Sequence, residues 1–239
     1  MINTLAQIDW LASAGRSPWH RASALSKLLL AALGVGLVIA APSLRLELAL
    51  FGVAWALLLT STLPFALLLA AAGYPLLFTA LVVVARWDGT LATPLAAALR
   101  PLTATAFAVW LVGTTPYPDL FAPLSRLLPR AIADGLFLTY RALFDFLFRA
   151  ERMTRALHLR GGDDLPPARR LAAAGEAFGT LVLRGAERSQ NAVAVMQLRG
   201  HSGRVCGCRH WAEWTPADLA VALAAAIVVA LAIVLWRPA

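Results

Sequence analysis

Of the chain's 239 residues, 60% are hydrophobic and 14% charged, with a mean hydropathy of +0.71, an apolar excess that rules out an ordinary water-soluble domain. The formal charge of +8 does not indicate a nucleic-acid partner, because the cationic residues gather around apolar runs, as they do on the cytoplasmic side of membrane proteins. Lys27 is the only lysine and follows Ser23-Ala24-Leu25-Ser26 rather than a glycine-rich turn, so a phosphate-binding loop is excluded and any ATP that drives this protein is hydrolysed by another chain.

In chain order, the polar stretch Ile8 to Lys27 separates Met1 from the first long apolar run. No small-residue cleavage site follows promptly, so the N-terminus is expected to be retained rather than removed as a signal peptide. Apolar runs follow at about 28–41, 46–59, 65–85, 91–113 and 219–236. A bilayer core needs roughly 20 apolar residues per helix, which the first two runs approach only with their flanks. Five spans are expected. Gly73 and Pro75 interrupt the third run, which allows a broken or surface helix there. The neighbouring small residues Ala70, Ala71, Ala72 and Gly73 suit either a close helix approach or ordinary packing.

The stretch Arg130 to Arg149 is rich in Leu and Phe but carries Asp134, Arg141, Asp145 and Arg149. Their offsets of seven, four and four place them along one helical face. An amphipathic helix at the membrane surface satisfies these charges better than lipid, where an unpaired charge costs roughly 3 kcal/mol or more. Arginine asymmetry agrees. Five spans with a cytoplasmic N-terminus put seventeen basic residues inside and three, Arg45, Arg86 and Arg237, outside. A sixth span at 130–149 would expose the N-terminal basic residues if the large insert stays inside.

About 100 residues separate the fourth and fifth runs, too polar for membrane and too helical in pattern for a linker. Ala150-Glu151-Arg152 leads into a segment ending Leu159-Arg160-Gly161, and Ala186-Glu187-Arg188 into one ending Leu198-Arg199-Gly200. Glycine accepts the left-handed conformation that ends a helix, and arginine suits the negative end of the helix dipole. One such ending is an ordinary C-cap. Two of them, 39 residues apart, suggest two equivalent arginine knobs for two equivalent receptors.

The stretch Thr114-Thr115-Pro116-Tyr117-Pro118-Asp119-Leu120, then Leu127-Leu128-Pro129, Tyr140-Arg141 and both Leu-Arg-Gly endings resemble the transmembrane T component of energy-coupling-factor importers. The resemblance runs from Ile8-Asp9 through Gly203. The family's arginine motif is usually Ala-Arg-Gly or a close variant, and here Leu159 and Leu198 stand at the variable position. Ile8-Asp9 with the polar stretch to Lys27, together with Arg184, Glu187, Arg188 and the ending Met196 to Gly203, most resembles the cobalt-type branch.

The resemblance implies an all-α membrane protein of about five transmembrane helices plus a cytoplasmic coupling module of one short and two long helices. The implied domains are 1–113, the N-terminal tail and first four spans; 114–215, the coupling helices; and 216–239, the last span. The short helix would be Leu120 to Leu128 and the long ones Arg130 to Arg160 and Ala168 to Arg199. Arg160, Gly161, Arg199 and Gly200 would be the coupling residues, docking into two ATP-binding cassette ATPase subunits. A separate S component, itself a membrane protein, would hold the substrate: cobalt or nickel on the cobalt-type reading, a vitamin on the alternative one. No cofactor is expected, and the inner (plasma) membrane is the expected location.

His201, Cys206, Cys208 and His210 are a compact set of soft-metal ligands. Cys-x-Cys is a weak pattern, however, and Arg204 and Arg209 oppose a cation, so reduced, incidental cysteines are the bland alternative. Arg100, inside the fourth run, either meets a carboxylate on a substrate path or bonds backbone carbonyls within the bundle. His158 either tunes the charge of Arg160 or is a solvated helix-end residue. An intramembrane enzyme would need nucleophiles or ligands within the spans, which hold no His or Cys and almost no carboxylate. A stand-alone transporter would show span repeats and midplane polar residues, and neither is evident.

Overall fold

A computed structural model describes residues 9–15, 17–64, 73, 75–77, 79–84, 92–164, 166–200 and 214–236. The helices are α1 (Pro18–Arg21), α2 (Ala24–Ala40), α3 (Leu44–Thr60), α4 (Ala92–Thr114), α5 (Tyr117–Leu127), α6 (Arg130–Leu159), α7 (Pro167–Leu198) and α8 (Asp218–Leu235). Helical backbone also runs through residues 9–14, 75–77 and 79–84. Among the described residues there is no strand. The fold is that of an all-α membrane protein. Pro94–Thr114 and Asp218–Leu235, with mean hydropathies of 1.6 and 2.8, have the length and composition to cross a bilayer. The apolar Ala24–Ala40 has 17 residues, about 26 Å at 1.5 Å per residue. About half of the third apolar run, residues 65–72 above all, lies outside the described residues.

Two compact units divide the chain, residues 9–123 with 214–236 and residues 124–200 among those described, with the boundary inside α5. The first unit packs α2, α3, α4 and α8 around Leu30, Val38, Leu46, Leu50, Phe107, Trp110 and Val228. Small residues set the spacing. A Cβ on Gly34 of α2 would stand 2.7 Å from the Phe107 ring of α4, so glycine is what lets these helices approach.

The ends of these helices are tied at two levels. At one end the Lys27 ammonium, 1% exposed, donates to the Thr114 carbonyl at 2.9 Å, placing a cation at the negative end of α4. Asp218 accepts from the Ser23 and Thr215 amides, both at 2.8 Å, and from the Ser26 hydroxyl at 2.7 Å. This places one carboxylate at the N-termini of both α2 and α8. At the other end Ser43 donates to the Leu235 carbonyl at 3.0 Å. Arg100 there donates to Glu47 at 2.7 Å and to the Ala41 carbonyl at 3.1 Å. Arg100 thus bonds a backbone carbonyl within the bundle, as one of the two readings expected, and pairs at the same time with a helix carboxylate. Since α2 and α8 start at the level where α4 ends, they run parallel to each other and opposite to α4.

Candidate coupling site

In the second unit α6 and α7 form an antiparallel hairpin. Of the charged stripe expected to face the membrane surface, Asp145 turns instead to helix pairing. It meets Arg149 at 3.1 Å and Arg188 of α7 at 2.9 Å, because one carboxylate can satisfy two guanidiniums that lipid could not. Such partly exposed pairs stabilise by about 1 kcal/mol or less each and act chiefly to set register. Leu181 is the buried residue of α7.

The turn between the helices is built on glycine. Arg160 closes α6 with its amide on the Ala156 carbonyl at 3.2 Å, Gly161 donates to His158 at 3.1 Å and Gly162 to Leu157 at 2.9 Å. Gly161 has φ +76°. These bonds make a Schellman ending, which serves the Ala156, Leu157 and His158 carbonyls of the last turn. Gly162 is equally constrained, since a Cβ there would lie 2.8 Å from the Leu157 carbonyl oxygen. Beyond the turn, the Asp163 carboxylate receives Arg170 of α7 and His158 of α6, clamping one helix end to the next helix start. Hydrogen bonds from Arg170 and then from His158 hold the Asp163 carboxyl below its ordinary range. The Asp163–Arg170 arm of the clamp is thus present at neutral pH and is lost as pH falls through that lowered value. His158 is engaged in this clamp, a use that the sequence did not suggest.

The second ending repeats the first. Arg199 has φ −86° and ψ 11° against −91° and 12° for Arg160. Its amide reaches Val195 at 3.1 Å, and Gly200, at φ +75°, donates to Gln197 at 3.0 Å. Both arginines are exposed, and the leucines before them, Leu159 and Leu198, are 85% and 88% exposed. An apolar side chain and a guanidinium thus project at each end with the same backbone geometry. The structure does not bring the two knobs together. Arg160 lies by the start of α7 and Arg199 at its finish, and 32 residues of helix span about 48 Å. His201, Cys206, Cys208 and His210 lie outside the described residues, and no metal-binding cluster occurs among the described ones.

The cobalt transport protein family CbiQ matches residues 12–207, a span that includes both Leu-Arg-Gly endings. The chain belongs to this family. It is 41% identical over 64 residues to the cobalt transport protein CbiQ of Salmonella typhimurium, a stretch covering 26% of this chain and 28% of that relative. The family match embraces α2 to α7, so it takes in both the apolar helices and the paired helix ends. What the sequence reading passed over is the helix-to-helix bonding: Glu47 beneath Arg100, and Asp163 between His158 and Arg170. Asp145 and Arg149, four residues apart, were the visible sign of charge pairing on α6.

Proposed function

We propose that this chain is the transmembrane coupling subunit of an ATP-driven importer for cobalt or nickel. In this reading two ATPase subunits dock on the ends of α6 and α7, and a separate membrane subunit holds the ion. The observation that carries the reading is the repeated helix ending, with equal dihedrals, left-handed glycine and exposed leucine and arginine, presented twice at opposite ends of α7. Two equal fittings suit two equal receptors. Family membership supports the transport role and the metal cargo. The apolar helices α2, α3, α4 and α8, with the third run, would sit in the inner membrane, and residues 114–215 would form the cytoplasmic module.

The test is charge reversal. Arg160→Glu or Arg199→Glu should impair ATPase assembly and radiolabelled cobalt uptake, each costing about 2 to 5 kcal/mol of docking. The double variant should abolish both while still inserting in the membrane. Arg169→Glu, on the exposed start of α7, is the control. Normal uptake by the double variant at equal expression would defeat the coupling role.

A further inference from the structure

Between α6 and α7 an open groove of about 590 Å³ runs back from Arg160. Its floor is apolar, formed by Met153, Leu157 and Leu181, while its walls carry Arg149, Arg152, Arg160 and Arg184 against one carboxylate, Glu176. Arg149 is engaged by Asp145. No ion pair engages Arg152, Arg160 or Arg184 among the described residues. Three unneutralised guanidiniums around one concavity repel each other and stay there only because water screens them. An anion entering the groove relieves that repulsion and gains bidentate bonds. A small anion such as phosphate would leave the apolar floor wet, whereas a polypeptide carrying carboxylates and apolar side chains would cover both. Among the described residues, α7 from Ser189 to Leu198 carries no charge before Arg199, whereas Arg152 and Arg155 precede Arg160 on α6.

We propose that the groove is an extended docking site for an acidic segment of the ATPase subunit that receives Arg160, with Arg152 and Arg184 as additional anchoring residues. The proposal rests on the coupling reading above. The ATPase contact at Arg160 is then made by a knob and a groove together.

The experiment uses the full chain purified in detergent with its ATPase subunits. Arg152 and Arg184 are exposed, so replacing them leaves the helices intact. Arg152→Glu with Arg184→Glu should weaken ATPase binding about ten-fold or more and make the remainder more salt-sensitive. Arg152→Lys with Arg184→Lys should retain most of it. A photo-cross-linking p-benzoylphenylalanine at Thr180, on the groove wall, should form an adduct with an ATPase subunit that is lost in the double Glu variant. Undiminished binding by the double Glu variant, or an adduct with phospholipid in place of the ATPase, overturns the groove. Arg160→Glu with Arg199→Glu in the same preparation separates the two ideas: if that pair abolishes binding while the groove variant does not, the coupling reading stands and the groove inference fails.

Discussion

Glu47 is 2% exposed on a helix of the apolar unit, with one carboxylate oxygen on Arg100 and the other without a partner among the described residues. Such a group is tolerated only because the guanidinium beside it offsets part of its desolvation. Arg100→Met should therefore destabilise the apolar unit by about 3 kcal/mol, and adding Glu47→Gln should recover much of that loss. Thermal unfolding of the purified chain, followed as a double-mutant cycle, checks this. Additive losses would mean that the pair does not interact. The sequence exposed Arg100 because a charge inside an apolar run stands out. Glu47, the second residue of the run at 46–59, was not singled out. Lys27 read as a marker of the cytoplasmic side, and nothing in its neighbourhood disclosed that its ammonium is buried on the end of another helix.

Helix boundaries were legible where one residue type dictates backbone conformation. Gly161 and Gly200 occupy the left-handed region, where a Cβ is costly, and the endings of α6 and α7 fall where the Leu-Arg-Gly pattern placed them. The start of α5 was less legible: the structure begins it at Tyr117, three residues before the expected Leu120, because Pro118 is compatible with a first helical turn. If α7 rigidly fixes one knob relative to the other, its length and rotational phase both matter. One alanine inserted after Ala186 turns the Arg199 end by about 100° and shifts it by about 1.5 Å. A seven-residue insertion there restores the phase to about 20° but adds about 10 Å. Both should lose cobalt uptake with membrane insertion retained. Normal uptake with either would show that α7 does not hold the two ends in fixed relation.

Across the whole molecule, composition alone disclosed the membrane class, and arginine asymmetry gave an orientation. The bonds at the two levels of the apolar unit add an independent argument. Lys27, Thr114 and Asp218 lie at one end, and Ala41, Glu47, Ser43 and Leu235 at the other, so α2 and α8 run one way and α4 the other; five crossings would need the run at 65–85 to supply one more. Single cysteines introduced after Cys206→Ser and Cys208→Ser should react with an impermeant maleimide from the cytoplasmic side at positions 126 and 164, and from outside at 45 and 88. External labelling at 126 would exclude the five-crossing arrangement.

On the coupling reading proposed above, two endings of like backbone geometry, one closing α6 beside the start of α7 and one closing the 32-residue α7, would make this chain a bivalent ligand. Once one end had bound, the second would bind at an effective concentration set by the length of α7 rather than by the concentration in solution, a gain of roughly 10² to 10⁴ when the spacing matches and none when it does not. Loss of a single fitting would then cost more than half of the assembly's persistence, and two ATPase subunits that meet weakly in solution would be held as neighbours by the membrane subunit before either binds ATP.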